Sequence, residues 1–194
     1  INDYTKAIEL NPDAAVAYSN RGSSKSNLKD YNGAISDYTK AIELNPNYAN
    51  AYYNRGNSKD DLKDYKGAIS DYTKAIELNP NFANAYYNRG VSKDDLKDYN
   101  GAISDYTKVI ELNPNFANAY YNRGNSKYDL KDYNGAISDY TKAIELNPNA
   151  ADSYESRSIS KESLGDLTGA CADAKKAISL GSNSSVKWIS ENCN

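Results

Sequence analysis

Five prolines recur at a fixed interval of 34 residues: Pro12, Pro46, Pro80, Pro114 and Pro148. Gly22, Gly56, Gly90 and Gly124 keep that spacing, as do Ala34, Ala68, Ala102, Ala136 and Ala170. The stretches 49–82 and 83–116 differ only at Asn57/Val91, Lys66/Asn100 and Ala75/Val109. A period of this length means that one supersecondary unit is copied along the chain, and that each copy buries its apolar face against the next.

Within one copy, Tyr65, Ala68, Ile69, Tyr72, Ala75 and Ile76 fall at i, i+3, i+4, i+7, i+10 and i+11. That spacing lays an apolar stripe along a helix. The preceding segment, 49–62, carries Tyr52, Gly56 and Leu62 and also reads as helix. Asp64 is placed to cap the second helix. Leu78-Asn79-Pro80 ends it, because proline lacks the N–H and restricts the residue before it. The unit is an αα-hairpin, and the predicted fold is all-α.

These residues resemble the tetratricopeptide repeat family. In 49–82, Tyr52, Gly56, Ala68, Tyr72, Ala75 and Pro80 stand where the family places its aromatic, small and helix-ending residues. The resemblance implies a right-handed α-solenoid, a superhelix of antiparallel helix-turn-helix repeats. In this register 1–14 is the second helix of a truncated repeat. Repeats follow at 15–48, 49–82, 83–116, 117–150 and a divergent 151–184, in which Ser158 replaces Gly, Ala174 replaces Tyr and Ser182 replaces Pro. Residues 185–194 form a C-terminal capping helix that brings in Trp188.

Three departures from the family pattern are charged. Arginine stands at the seventh repeat position (Arg21, Arg55, Arg89, Arg123, Arg157) and lysine at the eleventh (Lys25, Lys59, Lys93, Lys127, Lys161). Lys29, Lys63, Lys97 and Lys131 occupy a turn where the family often has glycine, and there they would take the left-handed conformation at a cost of about 1 kcal/mol each. A half-buried arginine requires an acid. Asp37 facing Arg55, Asp71 facing Arg89 and Asp105 facing Arg123 would tie consecutive repeats. Arg55 with Asp71 would instead pair within one.

The chain has no His and a net charge of −3, with a pI near 5.1 and a mean hydropathy of −0.83. That balance speaks against a nucleic-acid partner, which needs a clustered basic surface. No apolar run reaches the roughly 18 residues of a membrane span. No catalytic residue, cofactor site or metal site is expected: the commonest general base is missing, and two cysteines alone do not hold zinc. Cys171 and Cys193 are expected to meet across the terminal helix pair as a disulfide. Such a bond would imply an extracytoplasmic or secreted location, and free thiols a cytoplasmic one.

The resemblance further implies a concave groove lined by the first helices of the repeats. Its candidate peptide-binding residues are Asn20, Asn50, Tyr53, Asn54, Asn57, Asn84, Tyr87, Asn88, Asn118, Tyr121 and Asn122. Asn20, Asn54, Asn88 and Asn122 recur once per repeat, and a carboxamide offers a peptide group both donor and acceptor. Asp60, Asp61, Asp94, Asp95 and Asp129 make the groove acidic, which favours a basic or neutral ligand. Tyrosine replaces the lysine that chaperone-binding members use as a carboxylate clamp. The expected partner is a protein or extended peptide, held by a non-catalytic scaffold. The alternatives are a structural module that stacks through Ile1, Tyr4 and Ala7 of an uncapped N-terminal face, or an adaptor arm of a larger protein. The chain would be a monomer or a weak homo-oligomer through that face.

Overall fold

The computed structural model describes residues 1–184 and 186–193. Residues 1–97 and 98–194 form two compact units, and among the described residues the secondary structure is twelve α-helices and no strand. The first unit holds α1 (Asn2–Leu10), α2 (Ala15–Asn27), α3 (Tyr31–Leu44), α4 (Ala49–Asp61), α5 (Tyr65–Leu78) and α6 (Ala83–Asp95). The second holds α7 (Tyr99–Leu112), α8 (Ala117–Asp129), α9 (Tyr133–Leu146), α10 (Ala151–Ser163), α11 (Leu167–Ser179) and the short α12 (Val186–Asn192). Ser185 and Asn194, the first and last residues of the expected capping segment, lie outside the described residues.

Each helix end has a local cause. The side chains of Asp30, Asp64, Asp98, Asp132 and Asp166 cap α3, α5, α7, α9 and α11, each accepting from a backbone N–H three residues on. Such a cap contributes on the order of 1 kcal/mol. Ahead of the first helices, Asn45 and Asn79 Oδ1 accept from the N–H of Asn47 and Asn81, at 3.1 and 3.2 Å. These turns satisfy backbone around the proline that stops the preceding helix. The four lysines of the hairpin turns do adopt positive φ, between 62 and 64°, beside Gly165 at 81°.

The core runs along the seams between helices. Ala41, Ile42 and Ala51 are buried with Tyr18, Tyr48 and Tyr52 against them, and Ala75, Ile76 and Ala85 repeat the arrangement with Tyr52, Phe82 and Tyr86. Inside a hairpin the closest approach is made by glycine. A Cβ on Gly56 would lie 2.7 Å from the Tyr72 ring, and that ring is only 1% exposed.

Arg21, Arg55, Arg123 and Arg157 pair within hairpins, which corrects the expectation of Asp37 with Arg55 and, since Asp71 is taken by Arg55, that of Asp71 with Arg89. Arg55 Nε and Nη2 grip Asp71 at 2.9 and 2.7 Å. The same fork joins Arg21 to Asp37, Arg123 to Asp139 and Arg157 to Asp173. Gly56 touching Tyr72 sets the offset of the two helices, and the neighbours Arg55 and Asp71 then meet as well. The remaining arginine nitrogen reaches the preceding helix: Arg55 Nη1 donates to Thr39 Oγ1 at 3.0 Å, and Arg89 Nη1 to Thr73 Oγ1 at 3.0 Å. Each arginine also lies over the ring three residues before it, as Arg55 does over Tyr52 at 5.6 Å.

Lysines at the eleventh repeat position complete these clusters. Lys25, Lys59, Lys127 and Lys161 Nζ lie 2.7–2.8 Å from the second oxygen of the same aspartates. Burial alone would raise the Asp37 carboxyl, but hydrogen bonds from Arg21 and Lys25 outweigh it and hold the group below the usual carboxylate value.

At the C-terminal end Cys171 and Cys193 are joined in a disulfide, with Cα atoms 5.6 Å apart. Trp188 Nε1 donates to Glu162 Oε1 at 2.8 Å, so α12 is fastened to both α11 and α10.

Candidate functional site: a polar face on the first helices

The side chains expected to meet a ligand all sit on α2, α4, α6 and α8. Asn20, Asn50, Asn84 and Asn118 are exposed. Tyr53, Asn54, Asn57, Tyr87, Asn88, Tyr121 and Asn122 are half-buried. Asp60 and Asp94 are half-buried too, while Asp61, Asp95 and Asp129 face solvent.

In the first unit, α4 and α6 enclose a cleft of about 220 Å³ lined by Asn57, Asp60, Asp61, Tyr72, Asn88 and Val91. A hydrogen-bond network forms its floor. Asn57 Oδ1 accepts from Tyr72 Oη at 2.9 Å and from Asn88 Nδ2 at 2.8 Å. Asn88 Nδ2 also donates to Tyr53 Oη at 3.2 Å. Ser92 Oγ lies 2.5 Å from Asp60 Oδ1 and 3.1 Å from the Asn88 carbonyl oxygen. The predicted residues Tyr53, Asn57, Asp60 and Asn88 are therefore brought together. Asn50 and Asn84, one helical turn or more away, are not part of the lining. The Tyr53 ring packs into the seam, 4.7 Å from Phe82 and 6.0 Å from Tyr72.

The electrostatics of this cleft are anionic. Burial raises the Asp60 carboxyl above its ordinary value, Asp95 and Asp61 push it further, and only the Ser92 hydrogen bond opposes them. Burial, with Asp60 and Tyr53 adding to it, also holds the Tyr72 phenol far above its usual value, so it stays a neutral donor.

The second unit has a cleft at the same place in the repeat, between α8 and α10. It measures about 310 Å³ and is lined by Asn125, Tyr128, Asp129, Tyr140, Ser156 and Ile159. Tyr140 Oη donates to Asn125 Oδ1 at 2.7 Å, reproducing the bond from Tyr72 to Asn57. Sequence reasoning missed both floor tyrosines, because they belong to the second helices and read as core. The recurrence of asparagine at the ninth repeat position, Asn57 and Asn125, was the available signal.

Among the described residues no group of three His, Cys, Asp or Glu is placed to hold a metal ion, and no described helix is long and apolar enough to cross a membrane.

The sequence profile of the tetratricopeptide repeat matches residues 15–48, 49–82, 83–116 and 117–150, well over half of the chain. The chain belongs to the tetratricopeptide repeat family. Its repeats support a role as a protein-interaction scaffold. Among solved structures it is similar to YrrB, described as a tetratricopeptide protein with an unusual peptide-binding site. That match has 25% identity and a TM-score of 0.85, and covers 97% of each chain. It is similar also to MamA, with 28% identity and a TM-score of 0.80 over 82% of this chain and 93% of that one. A MamA from Desulfovibrio magneticus RS-1 shares the fold at 22% identity and a TM-score of 0.82, over 86% and 94% of the two chains. No curated protein sequence matches.

Proposed function

We propose that this tetratricopeptide chain is a non-catalytic scaffold that holds an extended peptide or protein segment against the first helices of its repeats. The observation that carries the reading is the recurrence, at the same repeat positions in both units, of a cleft floored by a tyrosine hydroxyl bonded to an asparagine. A peptide presents an N–H and a C=O at every residue. A face with carboxamides at a fixed interval can therefore pair with it whatever its side chains.

Asn54, Asn88 and Asn122 are assigned to the peptide backbone. Asn88 spends its Nδ2 on Asn57 and Tyr53, so its Oδ1 is the atom it offers to a ligand N–H. Tyr87 and Tyr121, half-buried beside this row, supply rigid contact area at low entropic cost. Membership of the family, and the peptide-binding site ascribed to YrrB at 25% identity, agree with this reading.

The test is calorimetry with a peptide selected from a random display library on the full chain. Replacing Asn54, Asn88 and Asn122 together by Ala weakens binding about tenfold or more, on the scale of two or three lost hydrogen bonds, while the helical circular dichroism is retained. An unchanged affinity rejects the asparagine row as the peptide-gripping element.

A further inference from the structure

The two clefts occupy the same repeat positions yet differ in chemistry, and that difference points to what each receives. Three lining residues are equivalent: Asn57 with Asn125, Asp61 with Asp129, Tyr72 with Tyr140. The other three are exchanged. Asp60 becomes Tyr128, Asn88 becomes Ser156 and Val91 becomes Ile159. One cleft thus loses a carboxylate and a carboxamide and gains a ring and a methylene. Neither reaches much beyond the roughly 300 Å³ at which pockets for whole small molecules begin. Each is the size for one side chain.

We infer that the cleft between α4 and α6 receives a lysine or arginine side chain of the bound peptide, and that its counterpart between α8 and α10 receives a large apolar or aromatic one. The inference rests on the peptide-scaffold reading and adds to it the class of residue taken at each place.

Charge complementarity supports the first assignment. Asp60 is half-buried at the cleft wall with one oxygen engaged by Ser92, and a carboxylate accepts about four hydrogen bonds in all. The charges acting on it are those of Asp95 and Asp61, both of its own sign. An arriving cation relieves that repulsion and gains a partly desolvated partner, where an ion pair is stronger than at an open surface. Val91, on the cleft wall, gives the aliphatic stem of the cation an apolar contact, which suits a residue with a charged tip on a hydrocarbon stem.

The second assignment follows from the exchanges. The Tyr128 ring packs against Tyr133 at 5.3 Å between centroids, which holds it as a fixed wall. Ile159 is 42% exposed, so an apolar guest would cover surface now facing water. The short Ser156 in place of Asn88 leaves the larger volume, about 310 against 220 Å³.

The experiment is selection of random displayed peptides on the full disulfide-bonded chain, in parallel with its Asp60→Asn and Tyr128→Asp variants. Asn still accepts from Ser92, so the local network persists, and circular dichroism checks the fold. The wild type is expected to enrich peptides that carry a Lys or Arg and a large apolar residue. Asp60→Asn should lose the basic preference and bind the winning peptide about tenfold more weakly. Norleucine in place of the peptide's lysine should cost the wild type a similar factor and the variant almost nothing. Tyr128→Asp should drop the apolar preference while keeping the basic one. Enriched peptides without a basic residue, or binding indifferent to Asp60→Asn, overturn the inference and leave the scaffold reading standing. Failure to enrich any peptide removes both.

Discussion

The hairpin of α4 and α5 and the hairpin of α10 and α11 fill the same contact in opposite ways. In the first, the large ring of Tyr72 lies on Gly56, where even a methyl group would come within 2.7 Å. In the second, the ring has shrunk to Ala174 and the glycine has grown to Ser158, whose Oγ donates to the Ala170 carbonyl oxygen at 2.8 Å. Both positions stay buried in both hairpins. Ser158 fills only part of the space that the Tyr72 ring takes, so the last hairpin holds less side-chain volume at this contact. The last hairpin gives up a buried aromatic ring and has instead a covalent link from Cys171 to Cys193.

The largest expected effect is on the ring itself. Tyr72→Ala, at a site 1% exposed, removes a buried aromatic opposite a glycine that cannot fill the gap, and should cost about 3–5 kcal/mol. Urea denaturation would show this as a lowered midpoint. If the pair is the unit of packing, Gly56→Ser added to Tyr72→Ala recovers part of the loss; a double variant no better than the single one breaks the comparison. Reduction of the disulfide comes next. Its closure spans 22 residues, worth about 3 kcal/mol in the chain-entropy treatment. Because repeats interact with nearest neighbours, hydrogen exchange after reduction should rise in α10 to α12 and stay unchanged in α4 and α5.

Gly56→Ala with Tyr72 intact should cost about 1–3 kcal/mol by overpacking, read from the same denaturation curves. Ser158→Gly, its mirror in the last hairpin, should cost about 1–2 kcal/mol, since it opens space opposite Ala174, deletes the buried hydroxyl bond and puts glycine inside a helix. The smallest effect concerns the turns. Lys63 sits at φ 62° where Gly165 sits at 81°. Lys63→Gly should therefore raise stability by about 1 kcal/mol, seen as a higher melting temperature by calorimetry.

Much of this architecture is legible in the sequence. The 34-residue period placed the hairpins, because a stripe at helical spacing followed by Asn-Pro has few other readings. Asp64 as a cap and Lys63 in a left-handed turn follow from chemistry local to a few residues. The pairing of Arg55 was not decided in the same way. Spacing identifies the face on which a side chain lies, but the axial offset of the opposing helix decides which acid it meets, and here Gly56 against Tyr72 sets that offset. Lys59 as the second partner of Asp71 was missed for the same reason, although Arg55 and Lys59 lie four apart on one face. The clefts needed residues from three helices at once: Asn57 from α4, Tyr72 from α5 and Asn88 from α6. No pattern within a single helix announces such a set.

The central claim is that the first helices form the binding face. Amide hydrogen exchange on the full chain, with and without a peptide selected on it, tests this most directly. The account predicts added protection in α4, α6, α8 and α10, strongest near Asn57, Asn88 and Asn125. Protection centred on α5, α7 and α9, or on α1 or α12, would contradict it.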